Sequence, residues 1–330
     1  MSSTGTPEVE VREWQPQPTA RPAWRVWLLR LLTLAFFIGM AALLAHVGRS
    51  LDWDTVVATL RAYRLRTLVT AATLALASYG VYAGFELAAR RYSGHTLPPR
   101  LVAGVGAIAY SFNLNLGAWV GGIGFRYRLY SQLGLNAATT SRLYLSTLLT
   151  NWTGYLALGG AVFTLYGLDL PPQWELSDEG LRWIGLLMVI AAAAWLLACA
   201  RLHGRSWTVR GHEVELPTLR LALVQMGLGA SNWMLMGAVV YTLLPHVAPA
   251  PGYGAVLGTL LLACIAGVAT HIPAGVGVLE AVFLALLGHR VPQSQLLGAL
   301  LAYRAVYYLV PLVIAGVGYA WLEARLKRRR

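Results

Sequence analysis

Long apolar runs alternate along this chain with short segments that carry most of its charges. A transmembrane helix needs about 20 predominantly apolar residues. Six runs are long enough for a full span and carry few charged residues: 27–47, 67–89, 141–166, 181–200, 221–247 and 296–322. The pattern therefore predicts an all-α polytopic membrane protein.

Two further apolar stretches, 101–135 and 255–288, are too long for one span and are broken by glycine and polar residues. The second break runs from His271 to Gly277 and includes Pro273, which removes a backbone donor. Broken backbone within a bilayer must be satisfied by protein or trapped water. We therefore expect two re-entrant hairpins. The first would enter from the cytoplasm and turn at 119–124, and the second would enter from outside.

A shift of 153 residues aligns Gly122-Ile-Gly124 with Gly275-Val-Gly277. A shared GxG is weak evidence alone, but each half then reads span, span, hairpin, span. Because three full spans is an odd number, the second half would be inserted upside down. The sequence therefore predicts two inverted-topology repeats, about 25–180 and 181–324. Such repeats are typical of alternating-access transporters.

Composition supports a membrane protein, because 57% of the residues are hydrophobic, 12% are charged and the mean hydropathy is +0.56. The net charge of +12 lies mostly between apolar runs, where it orients a membrane protein. No nucleic-acid-binding module is visible. We expect a disordered cytoplasmic tail at 1–24, an interfacial helix at 48–65, a single transmembrane domain at 25–330, and both termini in the cytoplasm. A cleaved signal peptide is disfavoured because more spans follow the first run.

Several charged residues lie beside the predicted breaks. Arg126 and Arg128 follow a glycine-rich turn, where guanidinium groups and backbone amides can meet a phosphate. Arg128 has an alternative, which is to snorkel at the cytoplasmic interface. Glu280 follows the second break and either carries a proton or pairs with Arg304, Arg126 or Arg128.

Other polar residues are weaker candidates. Glu86 is either functional or a helix-end ion pair with Arg90. His271 either titrates near neutral pH or satisfies backbone groups at the break. Asn113 and Asn151 either line a polar path or join helices by hydrogen bonds. The sequence contains no recognisable nucleophile motif, phosphate-binding loop or acidic metal cluster. We therefore expect no enzymatic activity, cofactor or metal.

Three motifs, Gly-Gly-Ile-Gly-Phe-Arg126-Tyr-Arg128, Asn151-Trp-Thr-Gly-Tyr and Ile-Pro-Ala-Gly-Val-Gly-Val-Leu-Glu280, resemble those of a known family. The family is that of the YbhN-like inner-membrane proteins. These are stand-alone relatives of the flippase domain of lysylphosphatidylglycerol synthases, the multiple peptide resistance factor family. The resemblance covers nearly the whole chain from about Arg25. It implies a bacterial inner-membrane protein, without the aminoacyl-transferase domain that makes the lysylated lipid.

The resemblance and the repeat together predict a phospholipid transporter or flippase. An anionic or aminoacylated headgroup would bind between the two hairpins. The candidate binding residues are Arg126, Arg128, Gly122, Gly124, Asn151, Gly275, Gly277, Glu280 and Arg304, with Glu86, Asn113 and His271 in second rank. Two alternatives stay open: a transporter of a small anionic solute, and a scaffold for lipid-synthesising enzymes. An apolar lateral opening would favour lipid, and a closed rim would favour a soluble solute.

The expected partners are membrane phospholipids and no nucleic acid. A lipid-synthesising enzyme and a second copy of the chain, forming a homodimer, are left open.

Overall fold

The computed structural model describes Ala58 and residues 61–328, except 169, 172–173, 175, 204–205, 210–211, 245–250 and 271–274. The described helices belong to one compact unit, Arg49–Arg330. The predicted tail, the first predicted span, most of the predicted interfacial helix and the break containing His271 and Pro273 lie outside the described residues.

Helices make up almost all of the described residues. The helices are α1 Leu65–Ser93, α2 Pro99–Gly117, α3 Phe125–Gln132, α4 Ala137–Leu165, α5 Asp178–Leu202, α6 Leu219–Leu243, α7 Tyr253–Thr270, α8 Val278–Leu287, α9 Gln293–Tyr303 and α10 Val310–Lys327. The π-helical segments Ala118–Gly124 and Arg304–Leu309 join α2 to α3 and α9 to α10. Between α5 and α6, strand β1, Ser206–Val209, pairs antiparallel with β2, His212–Glu215.

By length and composition, six of the described helices can cross a membrane. They are Leu65–Ser93, Pro99–Gln132, Asp178–Leu202, Leu219–Leu243, Tyr253–Thr270 and Gln293–Leu326. Four of these match predicted full spans. The fifth predicted span in the described part of the chain, 141–166, is the 29-residue helix α4. Helix α4 is rich in serine and threonine, whose hydroxyls bond back to carbonyls one turn earlier.

The helical segment Pro99–Gln132, which contains α2 and α3, reverses direction at Gly117, where φ is +81° and ψ is 171°. The rings of Phe112 and Phe125 stack with their centroids 3.9 Å apart. Thirteen residues of straight helix would separate them by about 20 Å. The chain therefore folds back on α2, and a Cβ at Gly121 would overlap the Phe112 carbonyl group. The turn lies at Gly117, just before the predicted 119–124.

The second reversal lies between α7 and α8, which pack against each other. A Cβ at Gly267 would lie 3.8 Å from the Cα of Gly275, so the two arms meet close to the break. Gly275 and Gly277 have φ values of +57° and +82°, a region that favours glycine. Gly124, by contrast, has φ −56° and ordinary helical geometry. The two GxG sequences therefore have different backbone roles.

The two hairpins open toward opposite ends of α4. Tyr127, in the first hairpin, hydrogen-bonds Ser141 near the start of α4. A Cβ at Gly254, at the start of the second hairpin, would lie 2.6 Å from the ring of Tyr166, just after the end of α4. A helix of this length spans about 43 Å. When 153 is added to their first residue numbers, helices α1, α2, α3 and α4 begin within three residues of the starts of α6, α7, α8 and α9, in that order.

Candidate functional site

The ion pair between Glu86 and Arg126 connects the first hairpin to α1. Both side chains are enclosed, with at most 1% of their surface exposed. Arg126 donates from Nε to Glu86 Oε1 at 2.7 Å. Its Nη1 and Nη2 donate to the Gly122 carbonyl and the Tyr82 hydroxyl, both at 2.9 Å. The Tyr130 hydroxyl donates to Glu86 Oε2 at 3.0 Å. Burial is thus compensated by an opposite charge and by neutral partners.

This geometry changes two expectations from the sequence. The helix-end pair of Glu86 with Arg90 is wrong, because Glu86 pairs with Arg126 and the Nε of Arg90 donates to the Leu97 carbonyl at 2.8 Å. The proposed pairing of Glu280 with Arg126 is also wrong, since these residues belong to separate ion pairs. The contacts of Arg126 favour a role as an internal brace over direct binding of a headgroup.

A second ion pair, between Glu280 and Arg304, connects α8 to the π-helical segment after α9. Arg304 Nε donates to Glu280 Oε1 at 2.7 Å, and Nη2 donates to Oε2 at 3.1 Å. Nη2 also donates to the Gly275 carbonyl at 3.1 Å. Glu280 Oε2 accepts from the backbone N–H of Gly277 at 2.9 Å. Of the three pairings that the sequence left open for Glu280, the structure shows the one with Arg304 as a bidentate contact.

The two ion pairs satisfy corresponding parts of the two hairpins. Arg126 binds the carbonyl of Gly122, and Arg304 binds the carbonyl of Gly275. These two glycines are 153 residues apart, the shift that aligns the two halves. Irregular backbone at membrane depth needs such partners because lipid offers none. Each guanidinium group therefore holds the broken segment of its own half.

The remaining candidates lie apart from these pairs or at their edges. Arg128 is partly buried and donates to Glu323 Oε1 at 2.7 Å and to the Tyr319 hydroxyl at 2.5 Å, which connects the first hairpin to α10. A Cβ at Gly122 would lie 2.7 Å from Asn113 Oδ1. Asn151 is half-buried on α4. His271 lies outside the described residues.

A tyrosine cluster, missed by the sequence analysis, lies between the two ion pairs. It comprises Tyr79, Tyr82, Tyr110, Tyr303, Tyr307 and Tyr308. The ring of Tyr82, which binds Arg126, stacks on Tyr110 at 3.7 Å. The Tyr110 and Tyr307 hydroxyls are 3.0 Å apart. The Arg304 guanidinium lies 5.8 Å from the ring centroid of Tyr308.

The cluster is completed by polar side chains from two long helices. Ser78 Oγ donates to Asn232 Oδ1 at 2.8 Å and lies 2.6 Å from the Tyr307 hydroxyl. Asn232 Nδ2 donates to the Tyr110 hydroxyl at 3.3 Å. One sequence signal was available: these tyrosines lie within apolar runs, whereas interfacial tyrosines lie at helix ends.

A groove of about 630 Å³ lies beside this cluster, between α1, α2 and α10. Among the described residues, its lining is predominantly apolar and contains no acidic side chain. Leu76, Ile314 and Trp321 line it and are 74%, 67% and 61% exposed, so the groove opens on the side of the helical bundle. At its inner end, Tyr79 and Ser111 join the groove to the tyrosine cluster.

Residues 27–315 match the family described as the lysylphosphatidylglycerol synthase TM region. The chain is 44% identical to Inner membrane protein YbhN of Escherichia coli (strain K12), over 94% of this chain and 97% of that protein. It is 32% identical to an uncharacterized protein of Synechocystis sp., over 87% of each chain. Phosphatidylglycerol lysyltransferase of Staphylococcus haemolyticus is 34% identical over 85 residues, which are 26% of this chain and 10% of that protein.

Proposed function

Because this chain belongs to the family of the lysylphosphatidylglycerol synthase TM region, we propose that it is a phospholipid transporter of the bacterial inner membrane. It would move an anionic or aminoacylated lipid between the two leaflets. The same family includes the transmembrane part of enzymes that make an aminoacylated lipid, which supports a lipid as the transported molecule.

The observation that carries this proposal is the groove between α1, α2 and α10. A lipid must enter from the side, with its acyl chains in the hydrocarbon and its headgroup near polar side chains. The groove offers both surfaces, since its wall is apolar and polar side chains lie at its two ends, Arg100 at one and Tyr79 with Ser111 at the other. A small anionic solute would instead favour an enclosed path lined by basic side chains. The lateral apolar opening therefore supports lipid over solute.

The distribution of basic residues supports an orientation for the transporter. Arg91, Arg201 and Arg220 lie at the end of α1, the end of α5 and the start of α6, and Arg328 follows α10. If each long helix crosses once and each hairpin returns to its own side, these four positions share one face. The positive-inside rule places that face in the cytoplasm. The first hairpin and the groove mouth would then lie on the cytoplasmic side, and the second hairpin would open outward as an inverted repeat.

In this proposal the two ion pairs hold the hairpins in shape. Each hairpin turns at glycine-rich backbone, and its guanidinium group satisfies a carbonyl there. The tyrosine cluster between the pairs provides a continuous packed connection from one hairpin to the other. A change at one hairpin would be transmitted to the other through this cluster.

Transport can be tested with purified protein in sealed vesicles of phosphatidylglycerol and phosphatidylcholine. A headgroup-labelled phosphatidylglycerol is followed by its accessibility to an impermeant quencher, and uptake of glycerol phosphate is measured in parallel. We expect labelled lipid to exchange between leaflets faster than in protein-free vesicles, with no uptake of glycerol phosphate. The control is the same protein after heat denaturation and reconstitution.

Two results would overturn the proposal. Uptake of glycerol phosphate without lipid exchange would identify a solute transporter. Folded protein that moves neither molecule but copurifies with a lipid-synthesising enzyme would identify a scaffold.

A further inference from the structure

A shift of 153 residues relates the groove to a region of the described helices that includes the crossing of α4 and α6. At the positions 153 residues away, α4 and α6 touch through Gly154 and Gly229, and a Cβ on either glycine would overlap the other helix. The residues 153 positions away from Gly154 and Gly229 are Tyr307 and Leu76. Two bulky side chains therefore replace the two glycines that let α4 and α6 meet.

Part of the groove lining is smaller than the residues 153 positions away, although Leu76 is larger than its counterpart Gly229. Six small lining residues are Ala72, Ala75, Gly104, Ala107, Ala315 and Gly318. The residues 153 positions away are Gln225, Leu228, Leu257, Leu260, Val162 and Leu165. A Cβ at Gly104 would meet nothing within 4 Å. Small side chains from both halves therefore leave room along the groove.

One end of the groove carries positive charge. Arg100 lines this end and is exposed, in the first turn of α2. Helix α2 begins at this end, so the positive end of its dipole lies there, although the N–H groups of Leu101 and Val102 donate to the Pro98 carbonyl. Arg325 lies over Trp321, which also lines the groove, with its guanidinium carbon 5.2 Å from the ring centroid. An anion at this end would meet cations and an interfacial tryptophan.

We propose that the groove is a binding site for one anionic glycerophospholipid, with an acyl chain between α2 and α10 and the phosphate against Arg100. This inference rests on the proposed function, and it moves the headgroup contact from Arg126 to Arg100. Arg126 already binds Glu86, Tyr82 and Gly122. The site recognises phosphate and chain, so it accepts phosphatidylglycerol without an amino acid on its headgroup.

The length of the groove fits this occupant. Arg100 and Ser111 lie at opposite ends of the lining on α2 and are eleven residues apart, which corresponds to about 16 Å of helix. One leaflet of a bilayer contributes about 15 Å of hydrocarbon. A phosphate at Arg100 therefore stays at the membrane surface while its acyl chain reaches Tyr79 and Ser111 at the inner end.

Binding can be measured with phosphatidylglycerol that carries a photoreactive group in one acyl chain, in nanodiscs of phosphatidylcholine. Cross-linked peptides from α2 and α10 are quantified by mass spectrometry. Gly104→Leu on α2 fills the groove. Its control is Gly316→Leu on α10, because a Cβ at Gly316 also meets nothing within 4 Å but Gly316 does not line the groove. Arg100→Gln removes the phosphate contact, and its control is Arg142→Gln, an exposed arginine in the first two turns of α4.

We expect Gly104→Leu to lower groove cross-linking about tenfold and Gly316→Leu to leave it unchanged. Arg100→Gln should lower cross-linking of phosphatidylglycerol about tenfold and lower that of a matching phosphatidylcholine probe less, because the choline ammonium group already offsets part of the attraction between its phosphate and Arg100. Equal labelling in Gly104→Leu and Gly316→Leu would overturn the site. So would equal losses with Arg100→Gln and Arg142→Gln, or cross-links of the lipid probe to residues 27–47 in place of α2 and α10.

Transport measured on the same variants separates the two proposals. Loss of the cross-link in Gly104→Leu with unchanged lipid exchange would support the binding site and overturn its use in transport. Lipid exchange in wild-type protein without any groove cross-link would support the transporter and overturn the site.

Discussion

At the scale of single residues, the Glu86–Arg126 pair shows how strongly a buried charge depends on its partner. Both side chains are fully enclosed, and Arg126 also satisfies the Gly122 carbonyl and the Tyr82 hydroxyl. Removing one partner leaves the other charge buried without compensation, which costs much more than the pair itself contributes.

We predict that Arg126→Ala lowers the free energy of unfolding by about 3–5 kcal/mol. The measurement is an unfolding transition in mild detergent that is monitored by circular dichroism. Arg128→Ala is the control, because its pair with Glu323 is partly exposed and should contribute less. The double variant Glu86→Leu with Arg126→Leu should recover part of the loss. Equal losses in Arg126→Ala and Arg128→Ala would argue against a buried brace.

Glycine is needed for different reasons in the two GxG motifs. Gly277 has positive φ and open space around its Cβ position, so an added methyl group would meet only backbone strain. At Gly122, in contrast, a Cβ would meet Asn113 Oδ1 at 2.7 Å. Glycine therefore allows a positive φ in the second hairpin and allows close packing against Asn113 in the first.

A double-mutant cycle tests this distinction. We predict that Gly122→Ala destabilises the protein by about 1–3 kcal/mol through overpacking, and that adding Asn113→Ala recovers most of this loss. Gly277→Ala should cost about 1–2 kcal/mol through its backbone conformation, and Asn113→Ala should not rescue it. Additive effects of Gly122→Ala and Asn113→Ala would contradict the proposed contact.

At the scale of elements, α4 and α6 pack closely because glycine faces glycine at their crossing. A Cβ at Gly229 would overlap the Thr150 carbonyl and crowd Gly154. Close helix contact through small residues is a main source of association in membranes, where lipid competes equally for apolar surface. This seam therefore depends on the absence of two side chains.

We predict that Gly229→Ala lowers the thermal midpoint of unfolding in detergent, at a cost of about 1–3 kcal/mol. Gly227→Ala on the same helix is the matched control, since its Cβ would meet nothing within 4 Å. That control should be neutral or stabilising by up to about 1 kcal/mol, because alanine favours helix over glycine. If Gly227→Ala lowered the thermal midpoint as much as Gly229→Ala, the effect would come from replacing glycine in α6 and not from the contact between α4 and α6.

At the scale of the whole molecule, the hairpins open toward opposite ends of α4. Ser131 ends the first hairpin region and Ser294 follows the second, and both are exposed. If the halves are inverted in the membrane, these two serines lie on opposite sides.

We predict that an impermeant maleimide labels Ser294→Cys in intact spheroplasts and labels Ser131→Cys only after permeabilisation. The background replaces Cys199 and Cys264 by alanine, so that each variant carries one thiol. Labelling after permeabilisation confirms that both positions react. Labelling of both from the same side would exclude inverted topology.

The pattern of the sequence was sufficient for the membrane class, the helical spans and the approximate places where they break. These features follow from local properties: apolar length sets a span, and proline or glycine weakens a helix wherever it occurs. The turn at Gly117 was placed a few residues late, because the glycine-rich run continues as a π-helical segment. The contact of Glu280 with Arg304 was one of three pairings that the sequence left open.

The partner of Glu86, the tyrosine cluster and the groove were decided only by the tertiary structure. Glu86 and Arg126 are 40 residues apart, and nothing in their spacing favours this pair over Glu86 with Arg90. The groove depends on which helix faces which: side chains of α1, α2 and α10 line it together, whereas Gly154 and Gly229 let α4 and α6 touch. Hydropathy records how apolar each residue is, whereas a binding surface depends on the distances between side chains of different helices.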